Sequence, residues 1–179
     1  MSTSLVILDR DGVINEDSDA FVKTADEWRP IPGSLEAIAR LNQAGYRVVV
    51  CTNQSGIARG LMRSEDLHAM HIKMDRLLAQ VGGQIDAVFY CPDAPDSDSE
   101  CRKPAPGMLY DIAARLHVDL RDVPVVGDSE RDLLAAASAG ASPYLVRTGK
   151  GRWTERKLSE PVQTFDNLAA FVDYLLDND

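Results

Sequence analysis

Short apolar runs alternate along this chain with longer segments that have the periodicity of a helix, and this alternation limits the folds open to it. The runs are rich in valine and isoleucine and span Leu5–Leu8, Arg47–Cys51, Ile85–Tyr90, Val123–Val126 and Pro143–Val146. Runs of this length and composition are typical of strands that are buried on both faces of a parallel sheet. We therefore expect a strand at each of these positions.

The segments between the runs place apolar residues three or four positions apart, as on one face of a helix. These stripes are Leu35, Ile38, Ala39 and Leu41; Leu67, Met70, His71, Met74, Leu77, Leu78 and Val81; Leu109, Ile112, Ala113 and Leu116; Leu133, Leu134 and Ala137; and Leu168, Phe171, Val172 and Leu175. Gly45 is predicted to end the first helix, Ser64 to cap the second and Pro106 to open the third. The alternation predicts an α/β fold, a doubly wound parallel sheet with helices on both faces.

The spacing of these elements leaves little room for a second domain. About 40 residues separate Asp11 from Thr52, and a predicted helix takes up many of them. The interval from Thr52 to Lys103 is largely filled by a helix, a strand and the polar loop Asp93–Glu100. We predict one domain over residues 1–179, without a separate cap domain.

The charge of the chain argues against two classes of partner. Among its 179 residues, 19 lysines and arginines stand against 28 aspartates and glutamates, which gives a formal charge of −9. Nucleic-acid binders normally carry a basic surface, and anionic membranes attract basic segments. We therefore expect neither nucleic acid nor a membrane as partner, and we expect a monomer because no coiled-coil pattern is present.

Targeting signals and cysteine usage point to the cytoplasm. No apolar run is long enough to span a bilayer, and no basic segment precedes a long apolar stretch at the N-terminus. The three cysteines, Cys51, Cys91 and Cys101, do not suggest a disulfide framework. A reducing compartment is the expected location.

Polar residues follow the predicted strands where each strand ends. Asp9-Arg10-Asp11-Gly12 follows the first run, Thr52-Asn53-Gln54-Ser55 the second and Gly127-Asp128-Ser129-Glu130-Arg131-Asp132 the fourth, while Arg102-Lys103 precedes the helix near Pro106. In a doubly wound sheet, ligands bind beyond the carboxyl ends of the strands. Separate segments are thus expected to bring carboxylates, a hydroxyl, an amide and two cations into one crevice.

This combination of residue types favours phosphate chemistry. Clustered carboxylates repel one another unless a cation relieves them, and oxygen ligands favour Mg²⁺. An aspartate can also attack phosphorus to form an aspartyl phosphate, while lysine and threonine stabilise the transferring group.

In their order along the chain, Asp9-x-Asp11-Gly12, Thr52, Lys103 and Gly127-Asp128-(x)₃-Asp132 resemble the four motifs of the haloacid dehalogenase-like phosphatases. The resemblance covers nearly the whole chain. Within that superfamily, the stretches Leu8–Asn15, Thr52–Gly60 and Cys101–Pro104 are similar to the subfamily of D-glycero-D-manno-heptose-1,7-bisphosphate 7-phosphatases, to which histidinol-phosphate phosphatases are related.

The resemblance implies a role for each matched residue. Asp9 would be the nucleophile, and Asp11 would protonate the leaving oxygen and then activate water. Thr52 and Lys103 would hold the transferring phosphoryl group. The carboxylates of Asp9 and Asp128 and the backbone carbonyl of Asp11 would bind Mg²⁺, while Asp132 would orient Lys103 or another neighbour. Substrate contacts are expected from Asp17, Ser18, Asp19, Ala20, Asn53, Gln54, Ser55 and Arg102.

The implied reaction removes the 7-phosphate of a heptose bisphosphate through an aspartyl-phosphate intermediate, in the synthesis of lipopolysaccharide core precursors. Two alternatives stay open at this point. One is a histidinol-phosphate phosphatase, and the other, of a different class, is a signalling receiver domain. A receiver fits poorly, because its phosphorylated aspartate follows the third strand, where this chain has Cys91-Pro92.

Members of this subfamily often carry a zinc loop of the form Cys-x-His…Cys-x-Cys. Here Asp93 stands in place of the histidine and Ser99 in place of one cysteine, which leaves Cys91 and Cys101. Two thiolates and one carboxylate make a poor tetrahedral zinc site. We therefore predict that the loop binds no zinc tightly.

Overall fold

Six parallel strands form one sheet in the computed structural model, which describes residues 4–179. The strands are β1 (Leu5–Leu8), β2 (Arg47–Asn53), β3 (Ala87–Cys91), β4 (Pro124–Gly127), β5 (Ser142–Val146) and β6 (Thr164–Phe165). Their order across the sheet is β3-β2-β1-β4-β5-β6. The predicted doubly wound parallel sheet is therefore confirmed.

Helices cover both faces of this sheet. They are α1 (Ser34–Gln43), α2 (Ser64–Gln80), α3 (Gly107–Leu116), α4 (Glu130–Ser138), α5 (Gly151–Lys157) and α6 (Leu168–Asp177). Val6 and Leu8 face the core formed with α1, α2 and α6, whereas Leu5 and Ile7 face the core formed with α3 and α4. The alternation of side chains along a strand thus divides the apolar run of β1 between two cores.

Two expectations about the elements need correction. The predicted strand Ile85–Tyr90 is not buried on both faces, because β3 lies at the edge of the sheet and Tyr90 is 43% exposed. Ser64 is the first residue of α2 rather than its cap; Arg63 holds the cap position, and its backbone N–H donates to Asp66 Oδ2 at 2.8 Å. The helix α5 and the two-residue strand β6 were not predicted.

Cys91 and Cys101 are joined by a disulfide, which corrects the expectation drawn from the odd number of cysteines. Cys91 ends β3 and Cys101 precedes the start of α3, so the bond closes the loop between these two elements. Cys51 is a buried free thiol in β2, as expected for a core residue. The loop that carries Arg102 and Lys103 is therefore tied covalently to the sheet.

The chain reverses its winding direction at β1, which lies between β2 and β4. Loops from these neighbouring strands diverge to opposite faces and leave a crevice at their carboxyl ends. Asp9, Gln54 and Asp128 directly follow the three strands. Among the described residues, no helix combines the length and apolarity that a bilayer crossing requires.

Candidate active site

A cavity of about 270 Å³ opens at the carboxyl ends of β1, β2 and β4. Its lining includes most of the residues predicted from the sequence: Asp9, Asp11, Asp17, Ser18, Asp19, Thr52, Asn53, Gln54, Ser55, Arg102, Lys103 and Asp128. The convergence expected from the motif positions is therefore present in the folded chain. Ala20, which was predicted to contact the substrate, does not line the cavity; it lies exposed on the same loop, and its backbone N–H donates to Ser18 Oγ at 3.1 Å.

Lys103 is the buried cation at the centre of the site. Its ammonium group donates three hydrogen bonds, to Asp132 Oδ1 at 2.6 Å, Cys51 O at 2.7 Å and Asp9 Oδ1 at 3.2 Å. Burial alone would lower the pKa of Lys103, but the carboxylates of Asp132 and Asp9 raise it well above its usual range. Lys103 is therefore a permanent positive charge beside the Asp9 carboxylate.

Asp132 links Lys103 to the start of α4. While Oδ1 accepts from Lys103, Oδ2 accepts from the backbone N–H groups of Asp128 and Ser129 and from Ser129 Oγ, at 3.2, 3.1 and 2.9 Å. Burial would raise the pKa of Asp132, but the Lys103 charge and these hydrogen bonds lower it. Both oxygens of Asp132 are thus engaged, so this carboxylate orients Lys103 and the segment that carries Asp128.

Asp9 and Asp128 lie close together with too little positive charge to balance both. Oxygens of Asp9, Asp128 and Asp132 all lie within 4.8 Å of one another. Burial, followed by the charge of Asp132, raises the pKa of Asp9 to about 7, and burial, followed by the charge of Asp9, raises that of Asp128 to about 8. A hard divalent cation between the two carboxylates would relieve this repulsion, so the donor set fits Mg²⁺.

Two glycines allow Asp128 to approach the Asp9–Asp11 turn. Gly12 has a φ of 85°, and a Cβ atom at this position or at Gly149 would collide with the Asp128 carboxylate. The backbone N–H of Lys150 donates to Asp128 Oδ2 at 2.9 Å. Glycine is therefore required at position 12 both by the left-handed backbone and by the close contact.

Hydrogen bonds from three side chains hold the carboxylate of Asp11. Burial would raise the pKa of Asp11, but the charge of Arg10 and hydrogen bonds from Asn15, Arg10 and Gln54 lower it below its usual value. Gln54 also donates to Thr52 Oγ1 at 3.0 Å, so one amide group connects Asp11 with the predicted phosphoryl-binding hydroxyl. Asn53 uses its side-chain amide differently, since both of its polar atoms bind the backbone of Lys103.

Three cations on the cavity wall are not among the predicted substrate contacts. Arg59, Arg131 and Lys150 line the cavity together with Arg102. Burial, followed by the charges of Arg131 and Arg59 on the same cavity wall, lowers the pKa of Arg102. The cavity therefore has a carboxylate-rich floor and a basic wall, an arrangement that suits a substrate with more than one anionic group.

Lys150 lies beside the loop that carries several of the predicted substrate contacts. Its ammonium group lies 3.7 Å from Asp17 Oδ2 and 3.8 Å from Asp19 Oδ1, on the loop predicted to contact the sugar. The only sequence signal for this arrangement is that Lys150 follows β5, at the same edge of the sheet as the other site residues. Arg59 contacts this loop too, because its guanidinium stacks over the ring of Phe21 at 5.4 Å.

In the loop after β3, Asp93 and Ser99 lie together at the positions where the subfamily's zinc loop has a histidine and a cysteine. Ser99 Oγ donates to Asp93 Oδ2 at 2.6 Å, beside the sulfur atoms of Cys91 and Cys101. These sulfurs are bonded to each other, so neither is a free thiolate. The carboxylate of Asp93 and the hydroxyl of Ser99 therefore remain as possible zinc ligands in this group. That the loop binds no zinc tightly stays a prediction.

A comparison with protein families finds that residues 3–140 match the haloacid dehalogenase-like hydrolase family. The match begins just before β1 and ends after α4, so it contains Asp9, Asp11, Thr52, Lys103 and Asp128.

Similar proteins cover almost the full chain. A D-glycero-β-D-manno-heptose-1,7-bisphosphate 7-phosphatase from Bordetella bronchiseptica is 59% identical, over 96% of this chain and 97% of its own. The protein of the same name from Pseudomonas aeruginosa is 54% identical, over 98% of this chain and 99% of its own. A crystal structure of D,D-heptose 1,7-bisphosphate phosphatase from B. bronchiseptica, complexed with magnesium and phosphate, superposes with a TM-score of 0.96 at 57% identity, covering 98% of this chain and 99% of that one.

Proposed function

The chain belongs to the haloacid dehalogenase-like hydrolases and is a phosphatase, and we propose that it removes the 7-phosphate of D-glycero-β-D-manno-heptose 1,7-bisphosphate with the help of Mg²⁺. The observation that carries the substrate is the name shared by relatives that are 59% and 54% identical over nearly the whole chain. Their names also specify the β anomer, which the sequence motifs leave open. The basic wall of the cavity supports a bisphosphate, because it offers charge beyond the site of phosphoryl transfer.

In this proposal, Asp9 attacks the phosphorus atom. Both hydrogen bonds to its carboxylate, from Arg10 N at 2.8 Å and Lys103 Nζ at 3.2 Å, go to Oδ1. Within residues 4–179, Oδ2 is left without a hydrogen-bond donor and keeps its lone pairs for the attack. Lys103 and Thr52 stabilise the charge on the transferring phosphoryl group.

Asp11 is proposed to move the protons of the reaction. As the bond between phosphorus and the sugar oxygen breaks, Asp11 gives a proton to that oxygen, and it later takes one from the water that hydrolyses the aspartyl phosphate. The negative charge of a bound phosphate favours the protonated form of Asp11, in opposition to Arg10. Substrate binding therefore favours the protonated form of Asp11, which then donates its proton to the leaving oxygen.

Asp9, Asp128 and the backbone carbonyl of Asp11 are the groups that we propose to hold Mg²⁺. When bound, Mg²⁺ supplies positive charge to the carboxylates and to the phosphoryl oxygens. The raised pKa values of Asp9 and Asp128 support this assignment, because two adjacent buried carboxylates need such a cation to remain ionised together.

Phosphate release tests the proposal directly. With Mg²⁺, the protein should have a clearly higher kcat/KM for heptose 1β,7-bisphosphate than for histidinol phosphate, and EDTA should abolish turnover. Asp9→Asn should be inactive, whereas Asp26→Asn, at an exposed position, should retain wild-type activity. A preference for histidinol phosphate would overturn the proposed substrate, and an active Asp9→Asn variant would overturn the nucleophile.

The location, oligomeric state and biosynthetic role of the protein are part of the proposal. The sequence predicts a cytoplasmic monomer that acts in the synthesis of lipopolysaccharide precursors. A single sedimenting species of about 20 kDa would support the monomer. A species of twice that mass would contradict it.

A further inference from the structure

The two oxygens of the Asp11 carboxylate have different surroundings. Oδ1 accepts three hydrogen bonds, from Arg10 Nη2 at 2.8 Å, Arg10 Nε at 3.1 Å and Asn15 Nδ2 at 2.8 Å. Oδ2 accepts one, from Gln54 Nε2 at 2.9 Å. Because Oδ1 is crowded with donors, Oδ2 is the oxygen on which a proton can reside. The orientation of Arg10 therefore decides which oxygen of Asp11 acts as the acid.

Arg10 is fully buried, and its guanidinium is held from the side opposite to Asp11. Its Nη1 lies 3.3 Å from His71 Nε2 and 3.9 Å from Met70 Sδ, both on α2. A guanidinium has no acceptor atom, so it donates to His71 Nε2, and the imidazole is neutral with its proton on Nδ1. Burial, followed by the charge of Arg10, lowers the pKa of His71 to about 4, in agreement with this neutral form.

We propose that His71 is a positioning residue for phosphoryl transfer, which as a neutral acceptor holds Arg10 so that Asp11 presents Oδ2 to the leaving oxygen. This inference rests on the proposed function. In the step concerned, an Asp9 oxygen forms a bond to phosphorus, the bond from phosphorus to the sugar oxygen breaks, and the proton on Asp11 Oδ2 passes to that sugar oxygen. Asp11 is left as a carboxylate, and His71 neither gains nor loses a proton.

A purely structural histidine would have a different effect on the reaction. His71 is half-buried between the core residues Met70 and Met74, so its replacement could disturb packing alone. Loss of packing lowers activity toward every substrate. Loss of a correctly placed acid lowers activity only where the leaving group needs a proton, as an alkoxide does and a nitrophenolate does not.

The test compares two substrates by kcat/KM, which reports the steps up to formation of the aspartyl phosphate. For His71→Leu, which has no acceptor, we expect kcat/KM to fall about 10- to 100-fold for heptose 1β,7-bisphosphate and less than about 3-fold for 4-nitrophenyl phosphate. His71→Gln should restore most of the activity, because its amide oxygen can occupy the position of Nε2. His68→Leu, exposed and one turn earlier on α2, is the matched control and should match the wild type.

Equal losses for both substrates, or no loss for either, would overturn the proposal. If His71→Leu does not fold, His71→Asn takes its place, because the shorter amide does not reach Arg10 while the helix keeps a polar residue. If the wild type does not hydrolyse the heptose bisphosphate, the proposed substrate fails on its own. The same comparison is then made with an alkyl phosphomonoester that the wild type does hydrolyse.

Discussion

Asn53 and Lys103 are joined by a pair of hydrogen bonds across the floor of the site. Asn53 Nδ2 donates to Lys103 O at 3.0 Å, and Lys103 N donates to Asn53 Oδ1 at 3.1 Å. The side chain at the end of β2 thus holds the backbone of the loop that carries the central cation. Asn53, predicted as a substrate contact, has both of its polar atoms committed to this pairing.

Removal of this pairing should impair catalysis more than folding. In Asn53→Ala, the Lys103 backbone loses two partners, and a displaced ammonium group no longer meets the phosphoryl oxygens. We expect kcat to fall about 10- to 100-fold, as is usual for a misplacement of this kind. Asn42→Ala is a suitable control, because Asn42 Oδ1 accepts from the backbone of Gln84 far from the cavity. Unchanged kcat in Asn53→Ala would show that Lys103 is held without Asn53.

The stability of the protein without metal should depend on pH through Asp9 and Asp128. Both pKa values are raised, from 3.8 to about 7 and about 8, so folding favours their protonated forms. In EDTA, the free energy of unfolding measured by urea denaturation should therefore fall as the pH rises from about 6.5 to about 8. Between about pH 4 and 6.5, His71, whose pKa is lowered from 6.5 to about 4, acts in the opposite direction. Asp132 has a lowered pKa, and its stabilising contribution is lost only at lower pH, outside this window.

Mg²⁺ should compete with these protons. Since the metal binds the ionised carboxylates, saturating Mg²⁺ should raise the melting temperature by several degrees more at pH 8 than at pH 6. The measurement is thermal unfolding with Mg²⁺ or with EDTA at the two pH values. In Asp128→Asn the difference should disappear, and an equal effect of Mg²⁺ at both pH values in the wild type would contradict the assignment.

Loss of the Lys150 side chain should weaken substrate binding. Its ammonium group faces Asp17 and Asp19 on the loop beside the cavity, whereas its backbone N–H holds Asp128. Lys150→Met removes only the first interaction. We expect KM for heptose 1β,7-bisphosphate to rise about 3- to 10-fold with little change in kcat. The control is Lys157→Met, because the Lys157 ammonium lies over the exposed ring of Trp153. This variant should leave KM unchanged.

The parts of the site that the sequence predicts are those that directly follow regular elements. β1 has the predicted bounds, and Asp9 follows it without an intervening loop. Parallel strands bring such positions to one edge, so Asp9, Thr52 and Asp128 can be placed together before any contact is known. Element boundaries are less regular, and β2 continues two residues past its predicted end to include Thr52 and Asn53.

Contacts that depend on loop geometry have no comparable signal. Lys150 reaches Asp128 from 22 residues further along the chain, after a strand that belongs to no motif. The helix α5 buries only Gly151 and Thr154, so it shows no apolar stripe. The contact between His71 and Arg10 is equally hidden, because the helical stripe indicates only that His71 faces the protein.

The disulfide leads to a final prediction about metal content. Because Cys91 and Cys101 are bonded to each other, only the carboxylate of Asp93 and the hydroxyl of Ser99 remain as possible ligands in the group that these four residues form. Such a pair is a weak zinc site. Protein purified without chelator or reductant should contain far less than one zinc per chain by elemental analysis. Thiol titration of the same unfolded sample should detect Cys51 alone, and two further thiols after reduction. About one zinc per chain, with three thiols before reduction, would show that the loop binds metal instead.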